Sequence, residues 1–420
     1  MAGALPPHRV GPAARESFQE GRTLGPARLL LRLPGPSALR PLLLCATAAL
    51  LPPGYVLAGA GPLFLAWVWE AARDRRWPWE PSAVDFPLAV WLALVAVSSA
   101  LSPHRDLALP NTLLLALGPV AGLAPALRSF RERPLLLRSL AAAWALGGAV
   151  AGAWVVWRYL QTGAGRGDLP QLGWNAAGTV LASASMLALG LARAGGLREQ
   201  AAAWLVQVPV LAGLVATLSR GAWIGWLAGL VCFTVLAGRR GRIWRVGVLA
   251  LLAATAAVTL THPPARARAL SALDPQSLLD RILLWKATLR MVADHPWTGV
   301  GFGAFVREHP NYRLPGDPNT APPFAHNLPL SLAAETGLVG LVAFLAFLVT
   351  VLRVGLQASV RAPPPARGLA AGVFSALVAI LAQQLVDGTL QSFHLGFAFW
   401  ILTAALLSVE EASKVRQEAP

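Results

Sequence analysis

Runs of roughly 20 mostly apolar residues recur from residue 39 to residue 409, and few charges interrupt them. Wound as a helix at about 1.5 Å per residue, such a run matches the ~30 Å hydrocarbon core of a bilayer. In hydrocarbon every backbone N–H and C=O needs a partner, and a helix supplies these within itself. The alternating strands that a membrane barrel needs are not seen. Composition agrees: 55% of residues are hydrophobic and 13% charged, about half the charged fraction of soluble domains. The pattern predicts an all-α polytopic membrane protein of about twelve transmembrane helices.

The spans fall at roughly 38–52, 54–71, 86–101, 107–127, 134–160, 174–192, 201–218, 221–237, 243–261, 326–352, 368–386 and 393–409. Pro52-Pro53-Gly54 separates the first two. The chain thus divides into a basic, Pro- and Gly-rich cytoplasmic tail (1–37), nine helices (38–261), a long loop (262–325), three more helices (326–409) and a second tail (410–420). Orientation follows from charge. With the N-terminus in the cytoplasm, 24 of the 35 Lys and Arg residues fall on the inner side, and every short inner loop is basic. Twelve spans with both ends inside satisfy this.

The net charge of +15 lies mainly in short links between apolar runs. That fits anionic lipid headgroups as partners, not nucleic acid. Cys45 and Cys232 lie far apart within apolar runs, as small buried side chains do. The seven His residues lack metal-ligand spacing, and no Cys lies near them, so neither a metal site nor a cofactor is expected.

The loop at 262–325 is too long to be a connector and carries 7 of the 11 outer basic residues. Leu278, Ile282, Trp285, Leu289 and Val292 recur in it at helical spacing, and Asp294-His295-Pro296 ends the pattern. Such an amphipathic helix lies on the bundle or in the headgroup layer.

Several side chains near this loop could carry chemistry. His326 and Asn327 stand where the loop becomes a span. Asn327 is a good helix N-cap, and Pro329 suits the first turn. His326 is then a bystander at a helix start, or a neutral imidazole placed to take a proton from a hydroxyl. Arg220, in "LSRGAWIGW", either snorkels to the interface or meets an anion. Arg281, on the edge of the amphipathic stripe, is a surface residue paired with a carboxylate or the second half of a diphosphate site. Glu335 falls about half a helical turn from the face of His326 and reads as a buried partner for polar groups on a neighbouring helix. "TGVGFGAF" follows no strand, so its glycines indicate a tight turn packed on the bundle, not nucleotide binding.

Three ordered segments, "TLSRGAWIGWLAGL", "DRILLWKATLRMVADHPWTGVGFGAF" and "AHNLPLSLAAETGLVGLVAFL", together resemble the O-antigen ligase and O-antigen polymerase superfamily. "GWNAAGTVLA", with Asn175, resembles a further family feature, and Pro329 stands where a larger residue often follows the His-Asn pair. The resemblance implies a GT-C-like membrane glycosyltransferase in the bacterial inner membrane, working on its periplasmic face without metal or nucleotide sugar. It would take a glycan from undecaprenyl diphosphate and pass it to a hydroxyl of the lipid A core or another lipid or saccharide acceptor. By residue matching, Arg220 and Arg281 would bind the diphosphate and His326 the acceptor hydroxyl, with Asn327, Glu335, Trp285 and Asn175 in support. A polymerase of the same superfamily is the nearest alternative. A lipid-glycan transporter is the alternative from another class, and it would be expected to carry ionisable groups at mid-span, where this sequence has almost none.

Overall fold

The computed structural model describes residues 36–52, 54–75, 79–163, 165–236, 242–271 and 274–418. The expected tail at 1–37 falls almost wholly outside them. The described residues form helices and no strands. In chain order these are α1 (Pro36–Leu50), α2 (Val56–Asp74), α3 (Asp85–Leu101), α4 (Arg105–Gly118), α5 (Ala124–Glu132), α6 (Leu136–Gln161), α7 (Gly173–Ala194) and α8 (Leu197–Ala216). Then follow α9 (Arg220–Leu236), α10 (Arg242–Thr261), α11 (Pro263–Leu270), α12 (Pro275–Asp294), α13 (Phe305–Glu308), α14 (Leu328–Arg361), α15 (Pro364–Gln383) and α16 (Phe393–Glu418).

Every apolar run of the sequence is helical, with α4 and α5 joined through a π turn at Pro119–Leu123. Among the described residues, seven helices are long and apolar enough to cross a membrane, or eight if α10 and α11, bent by 95°, count as one broken span. The expected twelve is higher because Leu39–Leu50, Asp85–Leu101 and Arg220–Leu236 are shorter apolar helices. A 17-residue helix such as α3 reaches only about 25 Å. α2 ends in charged Glu70, Arg73 and Asp74. Around the bundle, large apolar side chains such as Phe86, Leu135, Leu205 and Val235 stay exposed, as lipid-facing side chains do.

α7 is the centre of the bundle and is buried along nearly its whole length, against α6, α8, α9 and α15. Small residues permit this. A Cβ on Gly190 would stand 3.0 Å from the Cα of Gly372 on α15, so the two backbones touch without side chains between them. At the far end Arg40 is fully buried between Glu70 and Glu132. α16 runs on to Glu418, so the residues expected as a tail from 410 continue the helix, and Arg131 on α5 holds Glu411 there at 2.5 Å.

α14 is broken at Gly337, whose φ of 70° interrupts the helical ladder. The glycine loop docks into the break. Val300 N donates to Ala334 O at 3.0 Å, Gly301 N to Glu335 O at 2.8 Å, and Leu338 N to Pro296 O at 2.8 Å. The backbone groups freed by the break are therefore satisfied from outside the helix. Gly299, Gly301 and Gly303 all have positive φ, and a Cβ at Gly299 would lie 2.4 Å from the Glu335 carbonyl carbon. This pins the middle of the long loop to the first half of α14, which His326 precedes.

Candidate active site

The start of α14, the end of α15, the α8–α9 turn and α12 converge at one end of the bundle. Asn327 is the N-cap of α14, its Oδ1 accepting from Leu330 N at 2.9 Å. Its Nδ2 donates to Leu385 O at 2.9 Å, and Leu328 N donates to Gln384 O at 2.8 Å. These bonds fix the α14 start against the segment that follows α15. His326 sits in that joint with φ of +50°, a left-handed conformation that a non-glycine residue adopts only when its surroundings hold it there.

His326 Nδ1 lies 3.2 Å from Asp387 Oδ1, and the His326 side chain is one-third exposed while that of Asp387 is 5% exposed. The ring of Phe324 meets the imidazole edge-on, with centroids 5.0 Å apart. With Nδ1–H donating to the carboxylate, the lone pair resides on Nε2 of a ring that is not fully enclosed. Asp387 lies 61 residues further along the chain. It is the functional candidate that sequence reasoning missed. Its "LVDGT" setting marks only a polar link between two spans.

α12 ties the arrangement together. Arg281 Nη1 donates to Val386 O at 2.6 Å, beside Asp387, and Trp285 Nε1 donates to Ala325 O at 3.0 Å, beside His326. The helix packs on the bundle through Leu284, Ala287, Thr288 and Met291, which are buried. The stripe expected from the sequence differs: Leu278, Ile282 and Leu289 are about half exposed. Both stripes are apolar, and only one of them faces protein.

Burial lowers the pKa of the Arg281 guanidinium, the Asp387 carboxylate opposes the shift, and the charge of Arg220 adds to it. The two arginines are therefore electrostatic neighbours although 61 positions separate them. Arg220 opens α9 behind a turn in which Leu218 has φ of +51°. Asn175 on α7 holds that turn: its Oδ1 accepts from Ser219 Oγ at 2.9 Å, and its backbone oxygen accepts from Gln383 Nε2 on α15 at 3.1 Å. Glu335 is buried away from the imidazole. Its carboxylate accepts from Gln391 Nε2 at 3.1 Å and from Phe305 N at 3.4 Å, which anchors the glycine loop.

The geometry brings His326, Asn327, Arg220, Arg281, Trp285 and Asn175 to one end of the bundle, and Glu335 supports it from below. A proton acceptor oriented by a carboxylate stands near paired guanidiniums. That set can deprotonate a hydroxyl and stabilise an oxyanion. Among the described residues no group of three or more His, Cys, Asp or Glu side chains could hold a metal ion.

Residues 205–345 match the family model of O-antigen ligase. The match runs from within α8 to within α14. It contains Arg220, Arg281, Trp285, His326, Asn327 and Glu335, and it ends before Asp387. No curated protein sequence matches the chain.

Proposed function

We propose that this chain, a member of the O-antigen ligase superfamily through the domain at residues 205–345, is an inverting membrane glycosyltransferase. It moves a glycan from undecaprenyl diphosphate to the hydroxyl of a saccharide acceptor. The observation that carries the reading is the His326–Asp387 pair next to the Arg220–Arg281 pair. The acceptor hydroxyl gives its proton to His326 Nε2 as its oxygen attacks the anomeric carbon. The bond from that carbon to the phosphate oxygen breaks, and undecaprenyl diphosphate leaves with the new negative charge on that oxygen. Asp387 stabilises the imidazolium that forms, and the guanidiniums of Arg281 and Arg220 stabilise the departing oxyanion. The proton then passes from His326 to water.

The asymmetry of basic residues supports a twelve-span orientation with both ends in the cytoplasm and this site on the periplasmic face of the bacterial inner membrane. The same steps serve a ligase whose acceptor is the lipid A core and a polymerase whose acceptor is a growing glycan. The test is transfer by the purified full chain in lipid nanodiscs, supplied with a lipid-diphosphate-linked glycan and a core-saccharide acceptor. The expected result is glycosylated acceptor and free undecaprenyl diphosphate in equal amounts, undiminished by EDTA, because guanidiniums supply the positive charge. Loss of transfer in EDTA with recovery on adding a divalent ion would overturn the metal-free mechanism. Bound donor with no transfer to any saccharide would favour a transporter.

A further inference from the structure

Two more arginines reach the same end of the bundle, and the reaction just described gives them no task. Arg166 lies in the loop between α6 and α7. Gly167 N donates to Ala216 O at 2.9 Å, which presses this loop onto the end of α8. A Cβ on Gly167 would stand 2.4 Å from Val155 O, so only glycine permits so close an approach. The guanidinium of Arg166 then lies 5.0 Å from the centroid of the Trp174 ring. The cation is held over the indole face, and a guanidinium has five N–H donors to offer.

Arg268 comes from α11, on the other side of the turn. Its Nε donates to Leu218 O at 3.2 Å. The left-handed Leu218 packs its side chain with Val215 and Ala265, which docks α11 on the turn. Ser271 Oγ donates to Arg268 O at 2.9 Å and stands 3.5 Å from Arg220 Nη1. Arg166, Arg220 and Arg281 all lie close enough to Arg268 for their charges to act on it. Burial lowers the pKa of Arg166, and Arg220 adds to that shift. Four half-buried guanidiniums thus share one small region, and their mutual repulsion is relieved when an anion sits among them.

We infer that Arg166 and Arg268 bind the lipid-side phosphate of a polyprenyl diphosphate, while Arg220 and Arg281 hold the phosphate that carries the glycan. The inference rests on the donor class proposed above. The order follows from position: Arg281 adjoins Asp387 and therefore the reacting end, Arg268 neighbours all three other arginines, and Arg166 neighbours Arg220 and Arg268. A donor diphosphate diester carries about two negative charges and the released diphosphate nearly three. Two arginines balance the first, and a fuller set suits the second.

The probe is a short prenyl chain on one or two phosphates. Binding of farnesyl diphosphate and of farnesyl monophosphate would be measured calorimetrically on the purified full chain in detergent. The wild-type protein is compared with Arg166→Gln and Arg268→Gln, each checked for an unchanged thermal transition. The expected result is tighter binding of the diphosphate by wild type. Each variant should weaken binding of both probes about tenfold, one charge-assisted hydrogen bond's worth, because the single phosphate of the monophosphate is the one joined to the prenyl chain. Because Arg268 also holds Leu218 O, its variant can disturb the turn, and the Arg166 variant decides the matter alone. Wild-type diphosphate affinity in Arg166→Gln would overturn the inference and leave the proposed donor standing. A loss confined to the diphosphate would assign the arginines to the outer phosphate, and would also overturn it. A wild-type protein that binds neither probe would remove the donor reading itself.

Discussion

His326→Ala should cut glycan transfer by ~10²–10⁴-fold, the range a general base contributes, while the protein remains folded and inserted. The fold does not depend on the imidazole. Asn327 caps α14, and Leu328 N and Asn327 Nδ2 tie it to the α15 end whatever side chain stands at 326. Histidine adopts the left-handed backbone found at 326 several-fold more readily than alanine, a difference of about 1 kcal/mol that should cost some stability but not the fold. The loss should fall on the catalysed step, with donor binding little changed, because the arginines are untouched. Asp387→Asn should reproduce part of the defect by removing the charge that steadies the imidazolium. Measurement of single-turnover transfer in nanodiscs distinguishes the cases. Transfer near the wild-type rate in His326→Ala would remove His326 from the mechanism.

Arg220→Lys and Arg281→Lys should each lose about 10- to 100-fold in transfer, the worth of a hydrogen bond to a charged group. Charge is conserved in both variants, so the loss would come from geometry. A guanidinium grips a phosphate with two parallel N–H bonds, whereas an ammonium is a point charge. Arg281 has a second commitment, since it donates to Val386 O at 2.6 Å and still needs donors facing the substrate. A residue that only snorkelled to the interface would be replaced by Lys without cost. Donor titrations at fixed acceptor are the measurement. Weakened donor dependence with acceptor dependence unchanged is the expected outcome, and full activity in both Lys variants would reject the diphosphate site.

The sequence made the helices readable because their determinants are local. Each apolar run is helical, α12 ends at Asp294 before His295-Pro296, and Asn327 caps α14 with Pro329 in its first turn. Hydrophobicity could not tell a side chain facing lipid from one facing protein. Leu278, Ile282 and Leu289 are as apolar as Leu284 and Met291, yet the first set is exposed and the second buried. The number of crossings was less legible for a related reason: seven or eight helices among the described residues are long and apolar enough to cross, and the apolar character of α3 and α9 reveals nothing of how far so short a helix reaches. The partner of His326 was invisible because Asp387 meets it only when α15 folds back on the α14 start, and a lone acid in a link between two helices carries no local signature. Arg166 is the lone basic residue of its loop and Arg268 one of seven between 262 and 325, so neither carried a local signature. The backbone bond from Gly167 N to Ala216 O and the side-chain bond from Arg268 Nε to Leu218 O single them out.

The central claim is that the acceptor oxygen, deprotonated at His326, attacks the anomeric carbon directly while diphosphate departs. One displacement inverts the anomeric centre, and no covalent glycosyl-enzyme forms. The most direct measurement is the anomeric configuration of the new linkage, read by proton NMR from the product of purified protein and a donor of defined configuration. Inversion relative to the donor linkage is the predicted result. A retained configuration would require a second displacement through an enzyme nucleophile such as the Asp387 carboxylate, and would contradict the mechanism.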